Sequence, residues 1–362
     1  MDVNKTVPYK QNEDGTPFYI NTVTIKATPE QMYGYFDFLK KKVADHHGFF
    51  IKFGRHVLKL TFPNEEYARR YEQSLRYVIT DPVDDPDGSI HYWTGEIMEY
   101  LPMKEKIKPE SQWLYEGEAG SLLGWCWNGR LNVYDNRSNS QYVLIKGNME
   151  NCTPPWHPFR FEFHDFAKRN GYLFLHSAAV GIGDTGVMIS ATGGSGKSTT
   201  VLGALLDGMD YVSDDYLIWD KEEKKAYPLY NCGILNIDSL ERIPELKNCI
   251  SHWVPNRKNR AVLDLSAYTE RFVSGMKIKA VICPSIPTGD VKPEIIPDPV
   301  KKGKMQMAVS TTRQNGHELL KKDPGYNTDV MMSLKDLPCY EFRLSKSREE
   351  NTQHLKNWIK NL

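Results

Sequence analysis

Residues 186–206 read Gly186-Val-Met-Ile-Ser190, then Ala191-Thr192-Gly193-Gly194-Ser195-Gly196-Lys197-Ser198, then Thr199-Thr-Val-Leu-Gly-Ala-Leu-Leu206. The first block is short and apolar and predicts a strand; the last predicts a helix. Between them the chain matches the Walker A pattern, with Ala191 in the place of its first glycine. A strand, a glycine-rich loop and a helix N-terminus in this order aim backbone N–H groups at one point, and that point attracts phosphate. Gly193, Gly194 and Gly196 let the backbone approach without Cβ clashes. Lys197 is expected to reach the β- and γ-phosphates and the Ser198 hydroxyl to ligate Mg²⁺, within a nucleotide-binding run from Ala191 to Thr199. The bland alternative is a glycine-rich turn with an incidental lysine; the flanking strand and helix count against it.

A second feature lies one helix further on. Tyr211-Val-Ser-Asp214-Asp215-Tyr216 is a short apolar strand that carries two adjacent carboxylates, Asp214 falling seventeen residues after Lys197. That distance holds one helix and one turn, which predicts the acidic pair on the strand next to the P-loop strand, facing the same phosphates. Successive side chains of a strand point to opposite faces, so the two cannot share one role unless the strand has ended. One is expected near Mg²⁺, through the shell of Ser198, and the other is expected to take a proton from an attacking hydroxyl. Alone, an Asp-Asp pair reads more often as a solvated turn. Beside a P-loop it favours transfer to an alcohol, because a hydrolase needs only to position water.

Outward from this core, residues 159–170 predict a helix, and Gly171 to His176 a buried strand ending on a histidine. A hairpin turn follows at Gly183-Asp184. Downstream, 276–284 predict a buried strand, Lys301-Lys302-Gly303-Lys304 a mobile basic patch, and 347–361 a final helix. Toward the N-terminus, 18–26 alternate as a strand, and Thr28-Pro29-Glu30-Gln31 opens a helix with a capping box. Two strands meet about Gly54-Arg55, and a helix follows Asn64. Residues 80–89 hold two prolines, four aspartates and a glycine and are a candidate subdomain end. Residues 112–147 predict an antiparallel meander whose tryptophans, 113, 125 and 127, read as core before they read as a ligand platform. The division expected is 1–150, an α+β substrate-recognition or accessory region, and 151–362, the nucleotide-binding domain.

The chain has 362 residues, more than one domain at ~150 residues each would need. Forty-six basic against forty-six acidic residues leave no net field to favour a nucleic acid. No apolar run approaches the ~20 residues that span a bilayer, so neither nucleic acid nor membrane is expected as a partner, and the expected location is the cytoplasm. The six cysteines are scattered with no CxxC pair, so neither a zinc site nor a disulfide framework is expected.

From His176 to Asp215 the chain resembles the catalytic core of the HPr kinase/phosphorylase family and its relatives in peptide-modification clusters, such as the lasso-peptide serine kinases. The matching elements are a His that ends a strand ahead of the P-loop, the Gly196-Lys197-Ser198-Thr199 loop end, and the acidic pair one helix later. The resemblance implies an α/β, mixed α+β fold in which a mixed sheet carries the P-loop. It implies Lys197 and Ser198 on phosphate and Mg²⁺, Asp214 as base, Asp215 supporting the metal, and His176 near the γ-phosphate or metal. A basic residue near the transferred phosphate is also implied, with Lys301, Lys302, Lys304 and Arg313 as candidates. The family's Glu-x-Arg-Gly signature is missing: its best counterpart, Leu229 to Asn236, has neither the Glu nor the Arg, which argues against phosphorolysis. The expectation is an ATP- and Mg²⁺-dependent kinase acting on a hydroxyl, a serine of a peptide or protein. A small-molecule kinase for a sugar or nucleoside and a P-loop regulator without transfer stay open, and carboxykinase chemistry lacks a placeable Arg and Lys. The acceptor and the oligomeric state, a homo-oligomer included, stay open too.

Overall fold

The computed structural model describes residues 7–11, 17–20, 22–96, 112–125, 129–149, 153–254, 259–314 and 325–362. The chain divides into two compact units, one of residues 1–52, 56–73 and 79–158, the other of 53–55, 74–78 and 159–362. Each is a mixed α+β structure. Among the described residues, no helix is long and apolar enough to cross a membrane.

In the first unit, β1 (Val7–Gln11) and β2 (Pro17–Ile20) form an antiparallel pair. The main sheet takes β3 (Thr22–Thr24), β4 (His47–Phe53), β5 (His56–Phe62), β6 (Ile79–Thr80), β7 (Gly88–Thr94), β8 (Gln112–Gly117), β9 (Gly120–Trp125), β10 (Arg130–Asp135) and β11 (Ser140–Ile145) in the order β3-β8-β9-β10-β11-β7-β5-β4-β6. Helix α1 (Pro29–Lys42) starts as its sequence predicts: Thr28 Oγ1 accepts from the Gln31 N–H at 3.3 Å, and Gln31 Oε1 accepts from the Thr28 N–H at 3.0 Å. Its Met32, Phe36 and Leu39 bury against Leu122, Leu131 and Leu144 of the meander β8–β11. Helix α2 (Glu65–Leu75) follows Asn64, whose side chain accepts from the Tyr67 N–H. The loop of residues 80–89 ends no subdomain. It carries the chain across to β7, which pairs parallel with both β5 and β11 in the middle of the sheet. The side chains of tryptophans 113, 125 and 127 lie outside the described residues.

The second unit opens with α3 (Arg160–Arg169). A nine-stranded mixed sheet follows, with β12 (Leu173–His176), β13 (Ala178–Ile182), β14 (Thr185–Ile189), β15 (Asp210–Ser213), β16 (Tyr216–Asp220), β17 (Lys225–Tyr227), β21 (Met276–Ser285), β22 (Glu294–Pro297) and β23 (Cys339–Arg343). β14 lies between antiparallel β13 and parallel β21. A smaller sheet holds β18 (Cys232–Asn236), β19 (Ile250–Trp253) and β20 (Arg260–Asp264), with α5 (Ile237–Arg242) after β18. Alternation along β13 and β14 divides the core. Val180, Val187 and Ile189 pack with Val201 and Leu205 of α4 (Lys197–Leu206) and with Leu355 and Ile359 of α8 (Arg348–Ile359). Ala179 and Met188 pack on the opposite face with Met307 of α6 (Lys302–Gln314) and Val330 of α7 (Tyr326–Ser333). Helices on both faces thus hold β14 rigidly, and the loop that leaves it inherits that placement.

Candidate active site

The Ser190 N–H donates to the Ile282 carbonyl at 3.0 Å, tying the end of β14 to β21 where the glycine-rich loop begins. The Thr192 carbonyl accepts from both the Ser195 N–H and the Ser195 hydroxyl, which folds the loop into a tight turn. Gly194 and Gly196 have φ of +84° and +93°, a region side chains avoid, and a Cβ on Gly196 would come within 2.7 Å of Leu344 Cδ1. Lys197 then starts α4, so the first-turn N–H groups of Lys197, Ser198 and Thr199 have no partner within the helix and face the turn. Ala191 is buried, Thr192 to Gly194 are exposed, and Ser195 to Thr199 are half-buried. All nine expected residues form one continuous turn and helix start.

The acidic pair stands at a different place in the sheet from the one its spacing predicts. β15 is not next to β14: β13 lies between them, paired with both. The hairpin β13–β14 has already filled the neighbouring position, so the crossover through α4 must step over it. β15 also ends at Ser213, and Asp214 and Asp215 occupy a bend before β16. The Ser213 hydroxyl holds this bend, accepting from the Asp215 N–H at 3.2 Å and donating to the Tyr216 carbonyl at 2.6 Å. With the strand ended, alternation no longer separates the two carboxylates, and both face Lys197. Its Nζ is 2.6 Å from Asp215 Oδ1 and 3.9 Å from Asp214 Oδ1, and it also donates to the Asp214 carbonyl.

The environments of the two carboxylates differ. Asp214 is 1% exposed; its Oδ2 accepts from the Ile234 N–H at 3.2 Å, and the Ser198 hydroxyl lies against it. Its Oδ1 has no hydrogen-bond partner. Burial pushes this carboxyl up to about 6, against the pull of Lys197. Asp215 is half-buried, with Oδ1 3.4 Å from His176 Nε2. Burial lowers the His176 pKa, opposed by Asp215, so its ring is neutral at pH 7. The His176 Nδ1 has no hydrogen-bond partner, and its backbone N–H donates to Thr311 Oγ1 at 2.9 Å. Burial works against the Lys197 ammonium, yet Asp215 and Asp214 together raise its pKa, and it stays charged.

Three further residues escape sequence reading. Tyr216 packs its ring 5.2 Å from the His176 ring, and Arg160 of α3 donates to the Tyr216 hydroxyl at 2.7 Å. The Ile234 N–H that holds Asp214 comes from the segment in which the Glu-x-Arg-Gly signature is missing. Tyr216 at least adjoins the acidic pair in sequence; a lone helical arginine and a strand amide carry no signal at all.

Lys301 to Lys304 are not a mobile patch. Asp298 accepts from the Lys302 N–H at 2.6 Å at the start of α6, and Lys304 is buried with Nζ donating to the Lys335 carbonyl. Lys302 instead lines a cleft of about 300 Å³ beside the glycine-rich loop, with Thr192 to Ser195 on one side and Cys283 to Ile286 and Gln306 on the other. Arg313 is exposed on α6.

Among the described residues, no group of three His, Cys, Asp or Glu is placed to hold a metal ion. The buried Asp214 carboxyl, whose Oδ1 has no hydrogen-bond partner, and the Ser198 hydroxyl that lies against that carboxyl are instead the small oxygen donor set that Mg²⁺ takes together with phosphate oxygens and water. The residues therefore fit a magnesium ion that arrives with a nucleotide.

No family model matches the chain, and no curated protein matches it either. Among solved structures, the HPr(Ser) kinase/phosphatase from Coxiella burnetii aligns with 52% of this chain and 88% of its own, at 14% identity and a TM-score of 0.28. A likeness that slight carries no functional weight, and the chemistry of this site rests on its own residues.

Proposed function

We propose that this chain is an ATP- and Mg²⁺-dependent kinase that transfers the γ-phosphate to a hydroxyl, a serine of a peptide or protein. The observation that carries the reading is the position of Lys197, at the first turn of α4 and in contact with both carboxylates of the Asp214–Asp215 bend. A phosphate chain seated on the loop would lie between donor dipoles, a fixed cation and two acids. Those are the parts needed to hold a triphosphate and accept a proton from an alcohol. Bound Mg²⁺ would neutralise phosphate charge; Ser198 and Asp214 are the residues that would hold it. Residues 1–150 are where the choice of acceptor is to be sought.

The test is transfer of ³²P from γ-labelled ATP to a library of serine peptides, run beside monosaccharide and nucleoside acceptors. Label on peptides that needs Mg²⁺ and is lost in Lys197→Ala is the expected result. Label on small alcohols alone would replace the peptide acceptor by a metabolite, and tight ATP binding with no transfer would leave a nucleotide-binding regulator.

A further inference from the structure

We propose that the two carboxylates divide the reaction in the order opposite to the one the family resemblance implies: Asp215, steadied by His176, faces the acceptor hydroxyl and takes its proton, while Asp214 serves the Mg²⁺ side. This rests on the phosphotransfer reading above.

Burial makes the first distinction. The Asp214 side chain is closed off from solvent at 0% exposure, and the Asp215 side chain keeps 18%. An acceptor hydroxyl from a separate molecule can reach only a carboxylate that solvent reaches. Fixed partners make the second. Asp214 is anchored by the Ile234 N–H on Oδ2, lies against Ser198, and leaves Oδ1 buried without a hydrogen-bond partner. A buried carboxyl in contact with the Ser198 hydroxyl, with one oxygen that accepts no hydrogen bond, suits a cation's supporting ligand. A proton acceptor needs an open approach. Asp215 instead has the neutral His176 imidazole 3.4 Å away, and behind it the Tyr216 ring held by Arg160. His176 is thereby a positioning residue that orients the Asp215 carboxylate.

Lys197 Nζ lies 2.6 Å from Asp215 Oδ1. Phosphates seated on the loop would compete for the same ammonium and loosen its hold on the Asp215 carboxylate. In the transfer, the acceptor O–H bond breaks and its proton passes to Asp215. The oxygen bonds to the γ-phosphorus of ATP, the bond from that phosphorus to the β–γ bridging oxygen breaks, and ADP leaves with that electron pair.

Two measurements on the full chain separate the carboxylates. One is binding of the fluorescent nucleotide mant-ATP with and without Mg²⁺; the other is ³²P release from γ-labelled ATP, water standing for the hydroxyl. Asp214→Asn should lose the Mg²⁺-dependent gain in mant-ATP affinity by roughly tenfold or more, since a metal-holding group is gone. Asp215→Asn should bind mant-ATP with Mg²⁺ as tightly as wild type or tighter, Lys197 being released, while phosphoryl transfer falls by roughly 10²–10⁴-fold. His176→Asn should keep the Mg²⁺-linked binding, with ³²P release lowered through kcat at an unchanged KM for ATP. The opposite pattern, with Mg²⁺ linkage lost in Asp215→Asn and kept in Asp214→Asn, overturns the division, as does loss of Mg²⁺ linkage in both. Asp215→Ala stands in where the Asn variant melts well below wild type. Wild type that binds no mant-ATP in Mg²⁺ removes the phosphotransfer reading itself and this division with it, whereas a failure of the division alone leaves wild-type binding and transfer intact.

Discussion

Lys197 Nζ lies 2.6 Å from Asp215 Oδ1 and within 3.9 Å of Asp214 Oδ1, so one ammonium answers two carboxylates in a largely closed site. Its removal leaves the buried Asp214 and the half-buried Asp215 without a counter-charge, which costs on the order of 3–5 kcal/mol when both stay ionised. Lys197→Met should therefore lower nucleotide affinity and transfer by roughly 100-fold or more. It should also melt lower at pH 8 than at pH 5. The Asp214 carboxyl is already raised to about 6 in the fold, above its unfolded value near 3.8. An acid raised in this way contributes stability at low pH that is lost as pH rises through the folded value. Thermal melts across pH 5–8 check the sign, and a melting temperature independent of pH would count against it.

Two loop glycines should respond differently to a methyl group. At Gly196 the backbone is left-handed and the new Cβ meets Leu344, so Gly196→Ala should cost about 1–3 kcal/mol of stability as well as nucleotide binding. At Gly193 nothing lies within 4 Å of a built Cβ and no positive φ is imposed. Gly193→Ala should keep the wild-type melting temperature and weaken nucleotide binding alone, because the methyl stands on the surface a phosphate would approach. Calorimetric melts paired with mant-ATP titration separate the two effects.

Lys302 lines the cleft beside the loop while Lys304 is spent on the Lys335 carbonyl. Lys302→Ala should raise the KM for ATP by roughly 5–20-fold with little change in kcat, the signature of binding that is equal in ground and transition states. A fall in kcat at unchanged KM would instead place Lys302 at the transferred phosphate.

His91 of the first unit is bracketed by Thr61 Oγ1 on Nδ1 and Ser89 Oγ on Nε2, both at 2.8 Å. Burial, with Lys59 adding to it, lowers its pKa to about 3. A depressed histidine leaves the unfolded chain binding the extra proton, so its contribution is present above pH 6.5 and is lost as pH falls from there toward 3. At pH 5 this amounts to about 1–2 kcal/mol, and His91→Gln should flatten that part of the stability profile in urea titrations between pH 7 and pH 5.

Much of this fold is local chemistry written in the chain. The Thr28–Gln31 capping box, the turn at Gly54 and the strand–loop–helix around Lys197 each depend on residues a few positions apart. Their partners are near in sequence, so spacing predicts them. Spacing also brings the acidic pair toward the loop, one helix away, although the strand it predicts beside β14 is replaced by a bend two strands over, and the contact of Lys197 with both carboxylates is not in that reading.

What the chain determines alone is that a glycine-rich loop and an acidic pair come together. Which acid is closed and which is open was decided only in three dimensions. Adjacent residues on one bend are equivalent in sequence, and they become different because Ile234 and Ser198 wall in Asp214 while His176, backed by Tyr216 and Arg160, leaves Asp215 a face toward solvent. Those neighbours arrive from five separate elements, and burial and hydrogen bonding between distant segments leave no periodicity or motif for a sequence to display.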